Sequence, residues 1–205
     1  MKDIIKEVEQ YYTDKIIQHG ATPRGVDWNS VESQELRYLM LSKIISNHED
    51  SFSILDYGCG FGGMYHFYLN FFKNFKYTGY DISEKMIEEA KNIIKENENL
   101  IWTTNVPEEK YDYVIASGIF NVKFQTNEEV WMQYILETLE KINALSVKGF
   151  SFNILTSYSD KEYMKDNLFY ADPLFFFDYC KKNFSKNVSL LHDYDLYEFT
   201  LLIKK

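Results

Sequence analysis

Cysteine is scarce. Cys59 and Cys180 are the two in 205 residues, too few for a disulfide framework, and a reducing compartment fits that usage. Basic residues are in the minority: 22 Lys and Arg against 31 Asp and Glu give a formal charge of -9. The pI is near 5.0. No basic field is left for a phosphate backbone, so nucleic acid is not an expected partner. Long apolar runs are missing too. A run such as Leu174 to Phe177 is far below the length of a membrane span, which excludes a transmembrane anchor. The opening residues MKDIIK carry no signal-peptide core, and the expected location is cytoplasmic. The four histidines do not fall at ligand spacing and no Cys-x-x-Cys accompanies them, so no metal site is expected. Repeats, linkers and low-complexity tracts are absent as well, and at this length a single domain over residues 1–205 is the expectation.

What the sequence does have is concentrated between Ile54 and Met64. Two apolar residues run into Asp56, and four glycines, Gly58, Gly60, Gly62 and Gly63, then open an amphipathic segment. This reads as a strand, a tight turn and a helix start, with glycines where the backbone takes positive φ or lets a ligand approach closely. The segment suits a nucleotide-like ligand. Which one depends on its flanks.

Upstream, Ile4, Ile5, Val8, Tyr12 and Ile16 recur at helical spacing and predict a helix over 3–18. Residues 19–28 follow, and they gather His19, Arg24, Asp27 and Trp28 among glycines and a proline. This is either a surface turn with its tryptophan in the core or a lid over a site. Asn29 and Glu32 resemble an N-cap and an acidic first turn, giving a second helix over 30–46 with Arg37 on it. The expectation is a helical N-terminal lid over 1–48 and a core over 49–205.

From Phe52 strand and helix alternate. Strands are predicted at 52–56, 75–80, 100–103, 111–116 and 149–155, with helices at 63–72, 83–98 and after a Thr126/Glu129 capping box. That alternation means a mostly parallel sheet with helices on both faces. Asp172-Pro173 caps a further helix to Asn183. Two β-rich runs at 188–192 and 198–203 then lie too close together for a crossover helix, so they form an antiparallel hairpin.

Gly58-x-Gly60-x-x-Gly63 satisfies a dinucleotide fingerprint, with Asp81 placed to hold a ribose. The same residues also satisfy Asp56-x-Gly58-x-Gly60-x-Gly62, which resembles motif I of the class I S-adenosylmethionine-dependent methyltransferases. The stretch Tyr77-Thr-Gly-Tyr-Asp-Ile-Ser83 looks like that family's second motif. No second nucleotide-binding half follows, and the terminal hairpin matches the family's seventh strand, inserted antiparallel beside the fifth. The resemblance implies an α/β, Rossmann-like, seven-stranded sheet and S-adenosylmethionine as cofactor, with S-adenosylhomocysteine as product. From the turn it implies Asp56, Gly58, Cys59, Gly60 and Gly62 as cofactor residues. Asp81, Ile82 and Met86 follow strand two, Asn105 and Val106 strand three, and Ser117 and Gly118 strand four. Arg37 would meet the cofactor's carboxylate. The usual acid after strand three is missing, since that stretch reads Thr103-Thr-Asn-Val106.

Methyl transfer from a sulfonium needs alignment and exclusion of water more than acid or base power. A hydroxyl acceptor benefits from a general base, which makes His66 and His192, with Asn121 in the loop after strand four, the catalytic candidates. His19, Trp28, Tyr65, Tyr158, Tyr170 and Tyr194 are the substrate-side candidates. The expected acceptor is a small polar metabolite. A looser similarity to bacterial methyltransferases of surface-polysaccharide gene clusters suggests a sugar, nucleotide-sugar or phosphoryl-linked precursor, as in capsule modification. A methyltransferase-like subunit without catalysis and a nicotinamide oxidoreductase are the other readings, and the oligomeric state is left open.

Overall fold

The computed structural model describes residues 2–46 and 51–205, and of Lys2 and Asp3 the backbone alone. The expected lid–core boundary at 48/49 lies outside the described residues. The helices are α1 (Lys2–His19), α2 (Val31–Ser42), α3 (Gly63–Leu69), α4 (Glu84–Ile93), α5 (Glu128–Leu145) and α6 (Pro173–Asn183). The strands are β1 (Phe52–Tyr57), β2 (Phe75–Tyr80), β3 (Leu100–Thr103), β4 (Tyr111–Ala116), β5 (Ser146–Leu155), β6 (Asn187–Leu191) and β7 (Glu198–Lys204).

Seven strands form one sheet in the order β3-β2-β1-β4-β5-β7-β6. The first five pair in parallel, and β7 runs antiparallel between β5 and β6. The hairpin expected from the short gap is there, placed beside the fifth strand. Alternate residues of β1 serve opposite faces. Ile54 packs with Met64, Phe67 and Tyr68 of α3 and with Ile87 and Ala90 of α4. Leu55 packs with Trp131, Ile135 and Leu139 of α5 and Phe176 of α6.

The link from β3 to β4, residues 104–110, contains no helix. A parallel crossover usually supplies one to cover the sheet. Here α1 takes that place: Val8 joins the cluster of Leu55, Tyr80 and Val114, with Ile4 and Tyr12 packed against it. A hydrogen bond of 2.7 Å between Thr13 and Ser83 hydroxyls ties α1 to the start of α4. The N-terminal helix is therefore part of the sheet's cover over the ends of β1 and β2.

Two predicted caps differ. The cap of α2 is Ser30, which exchanges hydrogen bonds with Ser33, because serine reaches the N3 amide from one residue further on than Asn29. At α5 the cap is Asn127, whose carboxamide oxygen accepts from the Glu129 amide at 2.8 Å, while the Thr126 amide closes a turn onto Lys123. Among the described residues no helix is long and apolar enough to cross a membrane.

Candidate active site

The carboxyl ends of β1, β2 and β4 open into one pocket, roofed by α1 and the segment before α2. It holds about 830 Å³ including its mouth. The glycine turn forms its floor. Gly58 has φ +88°, and a Cβ there would stand 2.3 Å from Ile119 Cγ2, so the loop after β4 closes directly on the turn.

Asp81, at the end of β2, fixes that turn. Its two oxygens accept from the Gly60 and Ser83 amides, each at 2.9 Å. Burial raises its carboxyl to about 6, with these two donors opposing the shift. Asp56 lies deeper. One of its oxygens accepts from the Tyr77 hydroxyl and the other has no partner. Burial lifts this carboxyl to about 7, against the lowering by Tyr77.

Four buried side-chain polar atoms lack a hydrogen-bond partner among the described residues: Gln34 Nε2, Asp56 Oδ1, Ser117 Oγ and Asn143 Oδ1. The first three belong to residues lining this pocket. A buried polar group without a partner is costly. One donor, one acceptor and one hydroxyl left open in a single cavity therefore describe a polar ligand. Gln34 Nε2 and the Tyr38 hydroxyl both face Gly63.

The opposite wall is aromatic. Tyr57 and Tyr80 make an edge contact, ring centroids 4.8 Å apart, and Tyr12 and Tyr134 line the same pocket. Burial pushes all four hydroxyls above the usual phenol range. No Lys, Arg or His is among the lining residues.

Three comparisons bear on this arrangement. The family described as "Methyltransferase domain" matches residues 55–146, the span from β1 to the start of β5. A Mycobacterium tuberculosis (strain ATCC 25618 / H37Rv) protein named "Putative methyltransferase Rv1506c" is 47% identical over 165 residues, 78% of this chain and 98% of that protein. The chain belongs to the class I S-adenosylmethionine-dependent methyltransferase family. Among solved structures, magnesium protoporphyrin IX methyltransferase (ChlM) from Synechocystis PCC 6803 with bound SAM superposes with TM-score 0.66 at 15% identity, over 98% of this chain and 97% of that one. The "DhpI-SAM-HEP complex" has TM-score 0.67 at 13% identity, over 98% of each chain. At such identities these two likenesses establish the fold.

In this methyltransferase the pocket gathers Asp56, Gly58, Cys59, Gly60, Asp81, Ile82, Met86, Ser117, Gly118 and Trp28 of the residues singled out from sequence. Cys59 is buried and its thiol is raised well above its ordinary range by desolvation, so it packs as a small apolar residue.

Other expected positions fall elsewhere. Gly62 backs onto Trp102 and is not in the lining. Asn105 and Val106 are exposed on the link after β3, where the Asn105 amide binds Thr103 Oγ1. Arg37 is buried and bonded to Glu198 at 2.7 Å and to the Ser33 carbonyl at 2.8 Å, so its charge is engaged inside the fold.

The catalytic candidates also lie outside the lining. His66 faces solvent, because Met64, Phe67 and Tyr68 take the inner face of α3. His192 is exposed beside the exposed Tyr158, ring centroids 5.9 Å apart. Asn121 is buried with its carboxamide oxygen accepting from the Leu155 amide, a brace between the loop after β4 and β5. Tyr65 packs on Tyr77 and Trp102. The Tyr170 hydroxyl accepts from the Lys165 amide, and Tyr194 shares a hydrogen bond with Thr200. None of these seven, Tyr158 included, lines the pocket. His19 lies at a separate cleft next to it.

Sequence reasoning missed Val8, Tyr12, Val26, Gln34, Tyr38, Tyr57, Tyr80, Ile119 and Tyr134. Tyr57 and Tyr80 had a signal, since each directly adjoins a motif acid. Gln34 and Tyr38 lie four apart on α2, one turn of a single helix face.

Proposed function

We propose that this pocket holds S-adenosylmethionine and that the chain methylates a small polar acceptor. The observation that carries the reading is the set of open polar atoms on Gln34, Asp56 and Ser117 beside the Asp81 carboxylate. Asp81 has lone pairs left after its two amide bonds and is placed to accept from a ribose diol. Asp56 and the Ser117 hydroxyl suit an ammonium group, and the Gln34 amide suits a carboxylate. Ile82 and Met86 offer apolar contact to a base. A sulfonium bound here supplies an electrophilic methyl group. The chain's own part is to hold that end in line with the acceptor and to exclude water, with Val8, Tyr12, Val26 and Trp28 as the roof.

With no histidine in the lining, the best-suited acceptor atom is already nucleophilic when it arrives: a neutral amine or an ionised oxygen. We extend the reading to a sugar, nucleotide-sugar or phosphoryl-linked precursor of a bacterial surface polysaccharide. It is supported by the Trp28 loop, whose indole lines the pocket. We also propose that residues 1–205 act as one unit with its N-terminal helices as lid. Calorimetry with S-adenosylmethionine and S-adenosylhomocysteine tests the cofactor. Binding weaker than about 1 mM, roughly 4 kcal/mol, would remove it. A screen of phosphorylated and sugar metabolites for S-adenosylhomocysteine release tests the acceptor.

A further inference from the structure

Beside the main pocket lies a second, open cleft of about 490 Å³ including its mouth, lined by Lys15, His19, Arg24, Asp27, Trp28 and Asn29. Trp28 lines both cavities and is the partition between them. Lys15 and His19 are one turn apart at the end of α1. Arg24 comes from the 3-10 turn Pro23–Val26. Asp27 folds that turn back onto α1, accepting from the Tyr11 hydroxyl at 2.8 Å and from Lys15 Nζ at 2.7 Å. Among the described residues neither the Arg24 guanidinium nor the His19 imidazole has a side-chain partner. Three basic side chains thus meet one carboxylate, in a chain whose formal charge is -9.

The two cavities are opposite in charge. The main pocket contains Asp56 and Asp81 and no cation, with the neutral Gln34 amide to meet the cofactor's single carboxylate, so it disfavours a further, multiply charged anion. An acceptor that carries a phosphoryl group has to leave that group outside while its reactive atom enters. The cleft is where the cations are, one indole's width away.

We propose that the Lys15–His19–Arg24 cleft is an anion subsite that holds the phosphoryl group of a small phosphorylated acceptor. This rests on the methyltransferase reading of the neighbouring pocket and names the handle by which the acceptor is held. Arg24 offers a planar fork to phosphoryl oxygens, and Lys15 a point charge that Asp27 otherwise occupies. Trp28 orients the path between the cavities, its indole held against Arg37 at 4.0 Å.

The test is titration of inorganic pyrophosphate into the full chain saturated with S-adenosylhomocysteine, followed by calorimetry at low ionic strength. Binding is expected, weakening as salt rises from about 0.02 M to about 0.3 M. Arg24→Gln, a change at an exposed position, should weaken it about threefold to tenfold. Asp27→Asn should tighten it by releasing Lys15, a sign that loss of folding cannot produce. If S-adenosylhomocysteine binds but pyrophosphate does not, or if Arg24→Gln and Asp27→Asn leave pyrophosphate affinity unchanged, the subsite is overturned. If S-adenosylhomocysteine itself fails to bind, the reading of the main pocket falls first. The acceptor is then checked with matched pairs: a nucleotide-sugar should release S-adenosylhomocysteine and the free sugar should not. Equal turnover of both would overturn the phosphoryl handle.

Discussion

Trp28 lies over Arg37, its ring centroid 4.0 Å from the guanidinium carbon. The same indole fills the space that a side chain on Gly118 would need, 2.4 Å from the position of its Cβ. Arg37 holds Glu198 at 2.7 Å, Glu198 accepts from Asn153 Nδ2 at 2.8 Å, and Asn153 Oδ1 accepts the Gly118 amide at 2.7 Å. A closed path therefore runs from the roof of the pocket through α2, β7 and β5 to the loop after β4. The arginine positions a wall of the site through other residues and is itself outside the lining.

The Arg37–Glu198 pair gives the first prediction. Burial pushes the Glu198 carboxyl up, and the guanidinium opposes that. Arg37→Met leaves a buried carboxylate without its counter-charge and should destabilise the fold by about 3–5 kcal/mol. The double variant Arg37→Met, Glu198→Leu should regain most of the loss, because both charges go together. Urea denaturation of the two variants measures this; a double variant no more stable than the single one would contradict it.

The open atoms of the pocket give the second. Gln34→Leu removes the amide assigned to the cofactor's carboxylate, and S-adenosylhomocysteine affinity should drop about tenfold, roughly 1.4 kcal/mol. Methylthioadenosine has no amino-acid end, so its affinity should stay within about twofold of wild type. Asp81→Asn should weaken both ligands, since both carry the ribose. Equal losses of the two ligands in Gln34→Leu would detach Gln34 from the carboxylate.

How far the sequence reaches follows from the kind of signal each residue carries. The glycine turn, Asp56 and Asp81 are legible because their backbone constraints and positions after strands repeat in every protein that uses them. The mostly parallel sheet follows from alternation and the hairpin from the short gap before Glu198, while the place of the last strand beside the fifth was what the family resemblance implied. The Arg37–Glu198 pair was not legible because a partner 161 positions away leaves no local mark, although a glutamate opening an otherwise apolar strand was a hint of a buried counter-charge. The histidines attracted attention for their chemistry, but side-chain direction on α3 and at the hairpin turned His66 and His192 outward. The tyrosine wall stayed hidden because α1 covers a face that a crossover helix usually covers, and nothing in residues 104–110 says which distant segment will replace it.

The glycine turn makes a third prediction. Gly58→Ala combines a left-handed backbone, φ +88°, with a Cβ 2.3 Å from Ile119. The strain is about 1–2 kcal/mol from the backbone alone, and relief of the clash moves the loop after β4 away from the turn. S-adenosylhomocysteine binding should be lost by calorimetry while the far-UV circular dichroism of the sheet and helices persists. Adding Ile119→Ala should restore part of the binding, by removing the clash and leaving the strain. No recovery in the double variant would mean that the contact is not what closes the floor.

The last prediction concerns pH. The Asp56 carboxyl is raised from 3.8 to about 7, first by burial, and Asp81 is raised to about 6 for the same reason. Between about pH 4 and pH 7 the folded chain keeps protons that the unfolded chain has released. By linkage these two groups lower stability as pH rises through that window, and the loss is complete above the folded values. A cationic ligand reverses the balance, because an ammonium or sulfonium beside Asp56 favours the ionised carboxylate. S-adenosylmethionine affinity should accordingly rise from about pH 5.5 and level off above about pH 7.5. The rise in melting temperature on adding the ligand should be larger at about pH 8 than at about pH 5.5. Asp56→Asn should flatten the upper part of this profile and weaken binding at pH 8, while raising the melting temperature of the ligand-free chain there. Affinity that does not change across the range in the wild type would mean that Asp56 does not face the cofactor's positive charge.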